Sequence, residues 1–114
     1  MQKDVITVFD QRSGSGRPSA MTIRRLVRTL DRLPAAEAAE LLATRPAALA
    51  ARALARMIPH HGMRTAGALG ENRVKQLMAA LPESSEARRR LRIWLIDCRR
   101  TGRLADLGER LHAR

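Results

Sequence analysis

An all-α fold, a compact bundle of about six to seven short helices behind a flexible N-terminal arm, is predicted by three observations. The apolar residues are mainly leucine and alanine, with no tyrosine, a single phenylalanine (Phe9) and a single tryptophan (Trp94), a palette that favours helix over sheet. From Ser19 onward the apolar positions recur at i, i+3 and i+4, the spacing of one helix face. Prolines, glycines and small hydroxyl residues then punctuate that pattern at intervals of one helix length. A chain of 114 residues is read as one domain with one modest core. Its division is an arm and linker over 1–20 and a helical domain over 21–114.

The arm differs from the rest. Asp4 to Phe9 has strand character, and Ser13-Gly-Ser-Gly-Arg-Pro-Ser19 reads as a tether. The arm suits either a strand added to a partner or a frayed terminus. The first helix is predicted from Ile23, Leu26, Val27, Leu30 and Leu33, with Arg24, Arg25, Arg28 and Arg32 on the opposite side. Pro34 suits the first turn of a second helix, whose Ala35 to Ala43 segment has high helix propensity and acids near its positive end. Thr44 is expected to cap a third helix that buries Leu49, Ala53, Leu54, Met57 and Ile58, with Arg52 and Arg56 one turn apart. Pro59 to Gly62 reads as the turn closing it.

A short helix over 63–69 then ends at Gly70, a natural position for left-handed backbone. The next runs from Asn72 to Leu81, with Val74, Leu77, Met78 and Leu81 on one stripe and Asn72, Lys75 and Gln76 opposite, Arg73 at the border. After Pro82, Ser84 or Ser85 caps a longer helix with Glu86 in its first turn. Its core stripe is Ala87, Leu91, Trp94, Leu95 and Cys98. Arg88, Arg89, Arg92, Arg99 and Arg100 point away, and Ile93 and Ile96 interrupt them, so this helix is expected to be contacted on two sides. Thr101-Gly102 ends it, and Leu104, Leu107 and Leu111 mark a last short amphipathic helix. No internal repeat is seen.

Charge narrows the function. Twenty of the twenty-two basic residues are arginine and the formal net charge is +11, a self-repulsion that a polyanion or an acidic partner would relieve. Abundant Arg and Ala also follow from a GC-rich genome, so the placement of the arginines carries more than their identity. The lone Cys98 forbids an internal disulfide, and no signal-peptide core or long apolar span appears, so a cytoplasmic location is expected.

The segment Arg64 to Leu81, through Ala66, Leu69, Gly70 and the apolar residues that follow, resembles bacterial helix-turn-helix DNA-binding regulators. The anchor Val74 follows Gly70 sooner than in the usual pattern, so the turn is predicted to be short. The resemblance implies that Asn72, Arg73, Lys75 and Gln76 contact bases. Asn and Gln pair bidentately with adenine and Arg or Lys with guanine, and a recognition helix presents such residues near its start. The plainer reading of the same residues is a helical hairpin with a solvated polar face. Phosphate contacts are expected from Arg24, Arg25, Arg28 and Arg32 and from Arg88, Arg89, Arg92, Arg99 and Arg100. For any single arginine, a water-facing charge whose stem packs along apolar neighbours explains as much.

Other chemistry finds little support. His60-His61 lacks a further ligand at tetrahedral spacing, so no metal is expected. Cys98 lies on an apolar stripe with no histidine placed to activate it. Phosphate-binding loops, dinucleotide turns and zinc-protease motifs are absent, so neither an enzyme nor a cofactor is expected. Trp94 reads as a core anchor rather than a stacking platform, and the scarcity of aromatics favours duplex DNA over single strands or RNA. The expected function is that of a small basic DNA-binding protein, a regulator or accessory factor, as a homodimer. The rival is an interaction module that binds an acidic protein. Membrane-surface binding through the first helix fits least, because its apolar face is needed in the core and carries no aromatic anchor.

Overall fold

The structure is a computed structural model that describes residues 19–104. Those residues form six helices and no strand: α1 (Ala20–Leu30), α2 (Ala35–Ala43), α3 (Ala47–Arg56), α4 (Pro59–Leu69), α5 (Glu71–Ala79) and α6 (Glu86–Thr101). The expected all-α bundle is what folds. The strand-like segment Asp4 to Phe9, the Ser13–Ser19 tether up to Pro18, and Leu107 and Leu111 of the last expected helix lie outside the described residues.

The bundle is organised around α3, which packs against every other helix. Its sequence explains that position. Ala50, Ala51, Ala53, Leu54 and Ala55 are all buried and spread around most of the helix circumference. Alanine combines the highest helix propensity with the smallest side chain, so neighbouring backbones approach closely on several sides. Larger side chains from the surrounding helices fill the remaining space: Leu30 of α1, Leu42 of α2, Val74 and Leu77 of α5, and Leu91, Trp94 and Leu95 of α6. The α1 stripe is buried at Ile23 and Leu30, with Leu26, Val27 and Leu33 packed against the core at its edge.

Several boundaries differ from the sequence expectation, each for a local reason. Pro34 stands just before α2 rather than inside its first turn, at φ −58° and ψ 151°. Thr44 closes α2 instead of capping α3. Its backbone is helical, at φ −96° and ψ −1°, where an N-cap needs extended backbone, and its hydroxyl donates back to the Leu41 carbonyl at 2.8 Å. The expected turn over Pro59 to Gly62 is the first turn of α4, with Pro59 at a position where its missing N–H costs nothing. Ile58 is 57% exposed rather than buried. The chain turns extended at Met57 (ψ 161°) and Ile58 (ψ 129°), and the helical phase that placed Ile58 beside Leu54 is lost there.

Two glycines and one serine bound helices as anticipated. Gly70 alone joins α4 to α5, at φ 92° and ψ 160°, a region open only to glycine. Gly102 ends α6 in the left-handed conformation, at φ 69° and ψ 25°. Ser85 caps α6, its Oγ accepting from the Arg88 N–H at 3.1 Å.

Candidate nucleic-acid interface

The last carbonyls of a helix have no partner within it and carry the negative end of its dipole. In this bundle three successive helix ends receive a basic or imidazole donor from a helix about 30 residues further along. His61 Nε2 lies 3.2 Å from the Leu30 carbonyl and 2.7 Å from that of Leu33, beyond the end of α1. With carbonyls on both contacts, Nε2 carries the proton. Arg73 Nη2 donates to the carbonyls of Leu42 at 3.3 Å and Arg45 at 3.1 Å, at the end of α2. Arg90 Nη1 donates to Ala55 at 2.9 Å, at the end of α3. Arg88 makes a longer bond of the same kind, Nη1 to the Leu81 carbonyl at 3.4 Å. In return, the Asp31 carboxylate accepts from the Ile58 N–H at 3.1 Å and so ties the end of α1 to the start of α4.

These bonds sort the expected DNA contacts. On α5, Arg73 is turned inward, half-buried on the end of α2, and its Nη1 also donates to Gln76 Oε1 at 3.1 Å. Lys75 pairs with Glu71 at 3.1 Å. Asn72, Lys75 and Gln76 are exposed on one face, with Asn72 the one whose side chain has no partner among the described residues. The α5 face is thus partly compensated within itself.

The Glu71 carboxylate also binds Arg99 of α6 through two oxygens, a forked ion pair between α5 and α6. Hydrogen bonds from Arg99 first and Lys75 second hold its pKa down at about 2, from an ordinary value of 4.5. The same pairing raises the Arg99 pKa.

On α6, Arg99 is therefore spent on Glu71, Arg100 stands 4.0 Å from Asp97, and Arg88 reaches inward. Arg89 and Arg92 stay exposed, with no acid in ion-pair range among the described residues. Ile93 and Ile96 are 50% and 43% exposed on the same outer face, so the expected second contact on α6 is not made by any described helix.

The expected basic face is exposed, with Arg24, Arg25 and Arg28 on α1 and Arg32 in the turn just past its end. Helix α1 contains no acid, and no carboxylate pairs with these four arginines among the described residues. The α1 arginines and the α5 polar face are carried by different helices that both pack on α3.

Arg52, Arg56 and Arg90 are a cluster that reading along the chain does not assemble. Arg52 and Arg56 follow one another on α3, while Arg90 comes from α6, and with Ile23 of α1 they line a notch of about 350 Å³. Only the packing of α6 on α3 brings the three arginines to the lining of one notch.

The remaining sequence candidates are placed plainly. Cys98 is buried, its thiol donating to the Met63 carbonyl at 3.5 Å; burial, aided by Asp97, pushes its pKa up, which disfavours the reactive thiolate. His60 is exposed in the first turn of α4, and no group of three or more His, Cys, Asp or Glu gathers among the described residues. Trp94 is buried against Gly62, whose missing side chain leaves room for the indole. Among the described residues no helix is long and apolar enough to cross a membrane.

Among the described residues, fold and surface define a six-helix all-α unit with unpaired arginines on α1, on the outer face of α6 and at the α3/α6 notch. Comparison with protein-family models, with curated proteins and with solved structures finds no match to this chain.

Proposed function

We propose that this protein is a small DNA-binding factor, a regulator or accessory protein, that grips duplex DNA chiefly through its phosphates. The observation that carries the reading is α1. It carries Arg24, Arg25 and Arg28, with Arg32 in the turn just past its end, and the i, i+4 pair Arg24–Arg28 sets like charges where they destabilise a helix by roughly 0.2–0.5 kcal/mol. Asp31, the adjacent acid, is engaged with the Ile58 N–H. A row of phosphates relieves that repulsion and releases its own counterions on binding. The scarcity of aromatic side chains favours a duplex over a single strand. Base contacts fall to Asn72, Lys75 and Gln76, because Arg73 is held on the end of α2. The single-residue link at Gly70 is shorter than the roughly 3–4-residue turn of helix-turn-helix proteins, so phosphate grip has more support than sequence reading.

Affinity for mixed-sequence duplex DNA across a salt series tests this. We expect tight binding at about 50 mM salt and a log-linear fall, with the double variant Arg24→Gln/Arg28→Gln shallower by about 2 in slope, at ~0.9 per phosphate contact. A flat salt response, or no binding at low salt, overturns the proposal.

A second reading has its own observation. Ile93 and Ile96 are exposed amid Arg89, Arg92 and Arg100 on one face of α6, an apolar pair with a cationic rim that suits an acidic protein. A two-fold homodimer through this face would set those arginines against their own copies, so a different, acidic partner fits it better. A one-to-one complex that survives nuclease treatment and is lost in Ile93→Ser/Ile96→Ser would favour this reading.

A further inference from the structure

We propose that the notch between α1, α3 and the start of α6 is a binding site for a phosphate monoester group, free or at the end of a nucleic-acid strand. The notch encloses about 350 Å³, near the small end of the roughly 300–1,000 Å³ range for small-molecule pockets. Its wall carries Arg52, Arg56 and Arg90, with Glu86 the sole acid among the described residues, over an apolar floor that includes Ile23 and Ala55. Arg90 is half-buried and fixed by its Nη1 bond to the Ala55 carbonyl at 2.9 Å. One of its five N–H donors is used there, and the guanidinium is held in place with the others left over. Arg52, half-buried, and Arg56, exposed, form no ion pair among the described residues.

Three cations at one concavity repel each other, more strongly beside apolar walls than in open water. Against the single negative charge of Glu86 they leave an excess of two. A phosphate monoester carries close to two negative charges at neutral pH, and its oxygens match the planar fork of guanidinium donors. A monocarboxylate would leave the notch positively charged. The site rests on its own side chains, and none of the arginines assigned to the duplex grip of α1 lines it.

Titration of the full chain with inorganic phosphate, followed by calorimetry, tests it. We expect saturable one-site binding, weakened on the order of tenfold by either Arg52→Gln or Arg56→Gln, whose side chains make no hydrogen bond or ion pair among the described residues. Glu86→Gln should tighten binding, whereas Glu37→Gln, the same change of net charge on α2, should leave it unchanged. Duplexes with 5′-phosphate and 5′-hydroxyl ends separate the two sources: a preference for the phosphorylated end assigns the site to strand ends, and equal affinity assigns it to free phosphate esters. Absence of saturable phosphate binding, wild-type affinity in both arginine variants, or equal effects of Glu37→Gln and Glu86→Gln would overturn the proposal. Because phosphate is titrated without DNA, each of these results is independent of the duplex measurement.

Discussion

Replacing Gly62 by alanine sets two effects of opposite sign against each other. Gly62 lies within α4, where alanine is more favourable than glycine by about 1 kcal/mol. A Cβ at this position would stand 2.5 Å from Trp94 Cη2, 2.7 Å from Cζ3 and 3.3 Å from the Met57 Cβ. Carbon atoms sit comfortably at about 3.5–4.0 Å, so the indole must retreat by about 1 Å. It has little freedom to do so, because Trp94 is buried and packed in the core with Leu91 and Leu95. Overpacking of this kind costs about 1–3 kcal/mol, and a rigid ring confined by the core belongs in the upper half of that range. The net expectation for Gly62→Ala is a loss of about 1–2 kcal/mol, a fall in Tm of roughly 5–15 °C for a domain of this size.

Urea denaturation followed by circular dichroism measures it, and a double-mutant cycle isolates the cause. With the ring removed by Trp94→Leu, the same Gly62→Ala change keeps only its propensity gain and should stabilise by about 1 kcal/mol. The coupling between the two sites is then about 2–3 kcal/mol. An alanine variant as stable as the wild type, or an unchanged effect of Gly62→Ala in the Trp94→Leu background, would refute the reasoning.

Two further outcomes follow from the helix ends and the ion pair. Arg73→Ala should lower stability by about 1.5–3 kcal/mol through the lost bonds to the Leu42 and Arg45 carbonyls, whereas Asn72→Ala should stay within about 0.5 kcal/mol of wild type. Equal stability of the two variants in urea denaturation would show that Arg73 does not hold the end of α2. For Glu71, the folded pKa of about 2 lies below its ordinary 4.5. Its contribution is therefore complete above about 4.5 and lost as pH falls from there toward 2. Stability of the wild type should fall more steeply across that window than that of Glu71→Gln, and the two curves should converge at its acid end. Parallel curves would mean that the Arg99 and Lys75 contacts do not persist in solution.

Local sequence was a sound guide wherever a few consecutive residues settle the matter. The α6 stripe of Leu91, Trp94, Leu95 and Cys98 is buried as its spacing requires, and Ser85 and Gly102 bound that helix as their chemistry predicts. The α1 arginines stand clear of the core because Ile23 and Leu30 fix which side faces inward. Spacing ceases to predict burial where the helical phase or the partners change. Ile58 falls on the α3 stripe only if the helix continues, and the backbone leaves the helix at Met57. Arg73 sits on the polar side of α5 by its spacing, yet its guanidinium closes the end of α2, a segment 28 to 31 residues earlier.

What the sequence by itself determined is the helical class, the stripes that must be buried, the helix boundaries at Gly70, Ser85 and Gly102, and the charge excess. Each depends on hydrogen bonds and packing within about one helical turn, or on composition. Tertiary structure alone decided which cations remain available. Its reason is that the last carbonyls of α1, α2 and α3 must find donors outside their own helices, and which donor lies over each end depends on how the helices pack. That requirement takes up His61, Arg73 and part of Arg90. It leaves the α1 arginines facing solvent and, by setting α6 against α3, assembles Arg52, Arg56 and Arg90 around one notch.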